Sequence, residues 1–246
     1  MSAAPLKTTG VTSSSLTWYL THEKKYFEFT HAPEPYPVFV KRSLTQDEYF
    51  IKPISKKPLV PYMAFERLEN EAASIHFIKK HTTIPVPNIR CAFEDHGRHY
   101  IITDIAPGVT MAELTDKQKA TVIKELQGYI NQMHSLRSKA LGGVLGDVCI
   151  PFRLIQHVNP DVFHNLPEAE TPEYVFCHND LSQHNIIVDE ETLKINAIID
   201  WEYAGFFPTE FDSPFYLRKG PSVAIGDEVD DTDKLLEFFD ALKAQI

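Results

Sequence analysis

The chain holds little that would staple it covalently or seat it in a membrane. Its three cysteines, Cys91, Cys149 and Cys177, are odd in number and widely spaced, with no zinc-ribbon pattern, and are expected as free thiols in a reducing compartment. No apolar run approaches the roughly 18 to 20 residues that a membrane-spanning helix needs. Met1 to Gly10 lacks the hydrophobic stretch of a secretory signal. No glycine stands between Gly10 and Gly97, which excludes a glycine-rich loop from that part of the chain. Positive charge is short: 24 Lys and Arg face 34 Asp and Glu, a formal net charge of -10. Such a surface repels nucleic acid and anionic membranes, and it suits a cationic small molecule better than a polyanion. The expectation is a cytoplasmic protein with neither nucleic-acid nor membrane partners.

What is present is ordinary globular composition, 43% hydrophobic and 24% charged over 246 residues, enough for one large domain or two lobes. Residues 1–15 are small and Ser/Thr-rich and are expected to fray. Short β-favouring runs follow at Tyr26–Phe29, Val38–Val40 and Tyr49–Ile51, separated by polar or proline-containing turns, and predict an antiparallel sheet. Phe65, Leu68, Ala72, Ile75 and Ile78 recur at helical steps and predict a helix over 64–80. Two further strands are expected near 89–94 and 99–105. Thr115 with Gln118 forms a capping box ahead of a helix running to about Leu136. The acidic tail, 227–246, is expected as an amphipathic helix or as partly disordered. The order implies an α+β, bilobal arrangement: a β-rich lobe over 16–105, a break at 106–108, and a more helical lobe over 109–246.

The most informative segment is 174–205. It contains His178-Asn179-Asp180, with Asn185 five residues after the aspartate, then Ile198-Ile199-Asp200-Trp201-Glu202. The apolar runs 186–188 and 195–199 flank the polar turn residues Asp189 to Thr192, a hairpin signature. Centred at Thr192–Leu193, the hairpin would set Asn185 opposite Asp200, with Asp180 in the loop just before it. Three oxygen donors converging in this way suit Mg²⁺, which takes one or two carboxylates and completes its shell with water and phosphate oxygens. One aspartate to accept a hydroxyl proton, and an Asn and a second Asp to hold metal, is the division of labour of phosphoryl transfer.

These motifs resemble the catalytic loop and metal hairpin of the aminoglycoside phosphotransferase and choline kinase-like superfamily, itself related to protein kinases. Asn179 stands where glycine is usual. The segments His81–Pro87, Ile105–Thr110 and Glu202–Pro208 extend the similarity, which covers about residues 45–216. The resemblance implies a protein-kinase-like fold of the small-molecule branch and an ATP-dependent phosphotransferase that uses Mg²⁺. In that scheme Asp180 is the catalytic base and Asn185 and Asp200 are the metal ligands. Lys52, paired with Glu71, steadies the phosphates, with Lys41 as the rival lysine. Adenine lies against Thr103, Asp104 and Ile105. The acceptor is a cationic or hydroxylated small molecule. His178 is expected to brace the loop and Trp201 to pack beneath the metal residue, while Glu202 either contacts substrate or caps the following turn. Two alternatives stay open. One is a kinase-like nucleotide-binding protein with weak or no turnover. The other is a phosphohydrolase with His178, Asp180 and His184 as metal ligands.

Overall fold

A computed structural model describes residues 8–13, 16–29, 37–155, 157, 166 and 168–244. The chain starts as a meander: β1 (Thr8–Ser13), β2 (Leu16–Leu20), β3 (Lys24–Phe29) and β4 (Val38–Ser43) pair antiparallel in sequence order. Residues 8–13 therefore form a paired strand in a stretch expected to fray. Helix α1 (Ala64–His81) follows, then β5 (Ile89–Asp95) and β6 (Arg98–Asp104). β6 inserts beside β4, and the resulting antiparallel sheet has the order β1-β2-β3-β4-β6-β5. β4 is thus interior to the sheet, flanked by β3 and β6, and its alternation of Val38, Val40 and Arg42 with Phe39 and Lys41 sets the last two on one face.

The strand expected at Tyr49–Ile51 does not form. The chain makes a 3-10 turn at Gln46–Glu48 and then an exposed loop in which Ile51 touches Pro58 through a single bridge. Pro53, Pro58 and Pro61 remove ladder donors from this stretch. Arg42 also grips Glu48 at 2.7 Å and folds the segment back onto the end of β4.

α1 packs an apolar stripe of Leu68, Ala72, Ile75 and Ile78 into the core, all at most 8% exposed. Full burial of each large aliphatic chain is worth roughly 1.5–3 kcal/mol. The same helix buries Arg67, Asn70, Glu71 and Ser74. These polar groups lie along the side that meets residues 201–204, where Asn70 donates to the carbonyls of Glu202 (3.0 Å) and Ala204 (2.8 Å). Lys79, Lys80 and His81 in its last turn complement the helix dipole.

Beyond β6 the chain turns at Gly108 into β7 (Val109–Thr110). Gly108 has φ +119, and a side chain there would drive Cβ to 2.3 Å from the Val188 carbonyl oxygen. Helix α2 (Asp116–Ser135) begins with the expected box: the Thr115 hydroxyl accepts from the Gln118 amide, and the Gln118 side chain returns to the Thr115 amide at 3.0 Å. β8 (Arg137–Ser138), β9 (Tyr174–Cys177) and β12 (Gly205–Phe207) form one small sheet. β7, β10 (Ile186–Val188) and β11 (Ile195–Ile198) form another. Helix α3 (Thr232–Lys243) closes the described chain. It is amphipathic, and it buries Leu235, Phe239 and Leu242 against Phe211, Tyr174 and their neighbours.

Candidate active site

β9 is buried at every position and delivers the chain to His178-Asn179-Asp180. Asn179 adopts φ +65, a left-handed conformation that asparagine tolerates better than most residues, and is 2% exposed. Its side-chain amide donates to the Tyr203 carbonyl at 2.7 Å. Its backbone N–H donates to Asp212 at 3.2 Å, and its carbonyl accepts from Arg153 at 3.3 Å. The side chain that stands in for the usual glycine thus adds a tie to the Tyr203 turn, beside the backbone bonds to Asp212 and Arg153. His178 is fully buried and braces the loop as expected: the Asp180 amide donates to its Nδ1 (3.3 Å) and its Nε2 donates to the Ile199 carbonyl (3.0 Å). Burial holds its pKa below the usual histidine value, which keeps the ring neutral and this donor–acceptor pattern intact. Trp201 lies against that ring, its plane tilted by 51° and the centroids 4.5 Å apart, and packs in the core, its indole N–H donating to the Ile198 carbonyl.

The hairpin forms, with a register one step from the expected one. Ile186 pairs with Ile198 and Ile187 with Ala197, and the Asn185 carbonyl accepts from the Ile199 amide. Asn185 thus lies opposite Ile199, not Asp200. The turn is closed by Asp189 and Lys194, with Leu193 left-handed at φ 57, and a bulge between Ile187 and Val188 shifts the ladder. Asp200 still reaches the site because its own backbone is left-handed, φ 68 and ψ 53, and swings the chain out of the strand.

The Asn185 amide donates to the Asp180 carbonyl (2.7 Å) and carboxylate (3.1 Å), so its amide oxygen is turned away from Asp180. Asp200 Oδ1 accepts from Lys41 at 2.7 Å, and the same Nζ bonds both Glu71 oxygens at 2.8 Å. The expected Lys52–Glu71 pair is therefore replaced by Lys41–Glu71. Lys52 sits exposed in the loop after β4, whereas Lys41 is interior to the sheet and faces α1. Burial works against the charge on Lys41, but Asp200 and Glu71 raise its pKa well above the usual lysine range. Burial likewise opposes the charge on Asp200, yet Lys41 first and Lys24 second hold it well below the usual carboxylate range. Asp180 moves the other way: burial first and the Asp200 charge second push it up to about 7.

Two cavities meet here. The larger, about 520 Å³, is lined by Lys41, Glu71, Ile101, Thr103, Ile105 and Asp200 among others. Asp104 also borders it, although its carboxylate is engaged by Arg90 at 2.6 Å and Asn88 at 3.2 Å. The smaller, about 250 Å³, is lined by Lys24, Phe152, Asp180, Glu202, Tyr203 and Ser222, and again by Asp200.

A hard cation fits this donor set. One carboxylate oxygen from each of Glu71, Asp200 and Glu202 lies within 4.8 Å of the others. Glu71 gives both oxygens to Lys41 and Glu202 is held by Lys24 and Arg67, whereas Lys41 engages only Oδ1 of Asp200, so Asp200 Oδ2 and the Asn185 amide oxygen are the donors with capacity to spare. The His178–Asp180–His184 metal set is not assembled: both His178 ring nitrogens are engaged and His184 is exposed.

Residue-level reading of the sequence missed Lys24, Arg67 and Glu23. Arg67 meets Glu23 at 3.1 Å and Glu202 at 3.6 Å and bonds the Tyr203 hydroxyl, while Lys24 bonds Glu202. Adjacent lysines at 24 and 25 carry no sequence signal of which one is buried. Glu202, left open between substrate and turn, is 4% exposed and belongs to this ion-pair cluster.

Comparison with known proteins adds three findings. A family model described as choline/ethanolamine kinase matches residues 65–218, more than half of the chain. Two curated proteins of Arabidopsis thaliana match shorter stretches. "Probable choline kinase 3" is 51% identical over 51 residues, 20% of this chain and 14% of that protein. "Probable choline kinase 2" is 54% identical over 37 residues, 15% of this chain and 10% of that protein. The matches thus span only a small part of the relatives' length. Among solved structures, a thermostable mutant of aminoglycoside phosphotransferase APH(4)-Ia in ternary complex with AMP-PNP and hygromycin B superposes with a TM-score of 0.52 at 15% identity, over 81% of this chain and 70% of that one. Aminoglycoside phosphotransferase APH(3'')-Id from Streptomyces rimosus gives 0.51 at 16% identity, over 89% and 82%. At such identities the shared property is the fold, and it is the kinase-like α+β fold with an antiparallel N-terminal sheet.

Proposed function

The chain belongs to the choline/ethanolamine kinase family, and from that premise we propose that it transfers the γ-phosphoryl group of ATP to a hydroxyl of a small molecule. The observation that carries this reading is the Lys41–Glu71–Asp200 cluster standing beside the Asp180–Asn185 pair at the junction of two cavities. Donor nucleotide occupies the larger cavity, its base against Thr103–Ile105 and its phosphates toward Lys41. Acceptor occupies the smaller one, its hydroxyl toward Asp180. Residues 106–108 act as the hinge between the two lobes.

In this scheme Asp180 orients the acceptor hydroxyl and takes its proton as the new P–O bond forms. Enclosure beside Asp200 raises its proton affinity, which favours a base over a mere counter-charge. Asn185 and Asp200 would hold Mg²⁺, which supplies neutralisation of phosphate charge when bound. Lys41 orients the phosphates and is itself fixed by Glu71. His178 and Asn179 hold the base loop against the Asp200–Tyr203 turn, so both halves of the chemistry keep one geometry. The family name and the named relatives favour an amino alcohol as acceptor, in accord with the acidic surface.

The test is ³¹P NMR of Mg²⁺-ATP with choline, ethanolamine and an aminoglycoside panel, with Asp180→Asn as control. A phosphomonoester formed by the native chain and absent with the variant supports the proposal. Nucleotide binding without transfer to any acceptor would leave a kinase-like binding protein instead.

A further inference from the structure

The turn between β2 and β3 borders both cavities, and its own hydrogen bonds consume the groups a phosphate would want. Thr21 Oγ1 accepts from the amides of Glu23 (3.2 Å) and Lys24 (3.0 Å), and the Thr21 amide donates to the Lys24 carbonyl (2.9 Å). A phosphate-cradling loop works by aiming unengaged backbone N–H groups at the anion. Here the amides of Thr21, Glu23 and Lys24 are committed within the turn, and no glycine lets the backbone come closer. Positive charge at this place must come from a side chain.

Lys24 supplies one. It is 1% exposed and lines the smaller cavity together with Asp180 and Asp200. Lys41 lines the larger cavity, and Thr21, Tyr26 and Asp200 are walls of both. A group passing from one cavity to the other therefore crosses Asp200 between two lysines. Lys24 is held by Glu202, but Glu202 has a second cation in Arg67 at 3.6 Å, and Glu23 has the same one at 3.1 Å. Lys24 can thus turn toward an arriving anion without leaving Glu202 as an uncompensated buried charge, which would be costly.

We propose that Lys24 is a second phosphate-directed cation, facing the γ-phosphate from the acceptor side of Asp200 and standing in for the backbone amides of a glycine-rich loop. This rests on the phosphotransferase reading of the same site. Lys41 then serves the phosphates common to ATP and ADP, and Lys24 serves only the one that is transferred.

The test is calorimetric binding of Mg²⁺-ADP and Mg²⁺-AMP-PNP to the full chain and its variants, with no acceptor needed. Lys24→Met should weaken AMP-PNP about tenfold, the value of one charge-assisted hydrogen bond, and leave ADP within about twofold. Lys41→Met should weaken both, and Lys24→Arg should keep the native preference for AMP-PNP. Because Lys24→Met removes half of a buried pair, the double variant Lys24→Met with Glu202→Gln removes both charges and is read in the same way, with melting temperature recorded for each. Equal loss for the two nucleotides, or loss for neither, overturns the role of Lys24 while the phosphotransferase reading stands. Failure of the native chain to bind either nucleotide overturns both.

Discussion

Lys41 Nζ stands 2.7 Å from Asp200 Oδ1 while holding both Glu71 oxygens at 2.8 Å, so one cation links β4, α1 and the residue that follows the β10–β11 hairpin. Lys41→Met should therefore lower kcat/KM for ATP by about 10²–10³, the usual cost of removing one preorganised electrostatic contact. Lys52→Met, in the exposed loop, should stay within about twofold. Steady-state kinetics on the two variants decide between the lysines, and a crippled Lys52→Met beside an active Lys41→Met would reverse the assignment. Urea denaturation should accompany them, since Lys41→Met also leaves two carboxylates facing each other.

The loop, the hairpin and the capped helix were legible because each is set by local chemistry: His-x-Asp with Asn at fixed spacing, paired β-branched runs, and Thr115 with Gln118. The lysine that pairs with Glu71 was not. Val38–Lys41 and Tyr49–Lys52 both read as strand ending in lysine, and only the pairing of β4 between β3 and β6 separates them. The one-step register error has a similar origin. A bulge and a left-handed Leu193 are invisible to a count of residues, and a left-handed Asp200 compensates for them. The Lys24–Glu202–Arg67 cluster joins residues far apart in the chain, and its members look like ordinary surface charge until the fold buries them.

Asp180→Asn keeps the size of the side chain and its contact with Asn185 while removing the carboxylate proposed as the base. Turnover should fall by about 10²–10⁴, the range for a general base. Affinity for Mg²⁺-AMP-PNP should be unchanged or slightly tighter, because a negative charge near the phosphates is gone. Parallel kcat and binding measurements check this, and turnover close to native would remove Asp180 from the chemistry.

His178 satisfies the Asp180 amide and the Ile199 carbonyl from inside the core. His178→Ala leaves both backbone groups without their partner and opens a void beneath Trp201. A loss of about 2–4 kcal/mol in urea unfolding is expected, and a larger loss of kcat than of nucleotide affinity should accompany it. His178→Gln restores one hydrogen bond and should recover part of both. If alanine is tolerated with native stability, the brace is unnecessary.

Glu48 accepts two hydrogen bonds from Arg42 at 2.7 Å, one from Lys25 at 3.2 Å and one from the Thr45 amide at 3.1 Å. Partial burial works against its charge, but the Arg42 and Thr45 hydrogen bonds prevail and hold its pKa down from 4.5 to about 2. A carboxylate whose pKa is lower when folded binds fewer protons in the native state than in the unfolded chain. Its contribution is therefore complete above pH 4.5 and disappears as the pH falls toward 2. Transmitted in full, such a shift is worth about 3 kcal/mol, but solvent screening at the surface reduces it to about 1 kcal/mol. Glu48→Gln should thus be less stable than the native chain by about that amount at neutral pH, with the gap closing through the same acidic window. Urea titrations at several pH values measure it directly. A gap that stays constant with pH would mean that Glu48 acts through packing and not through its charge.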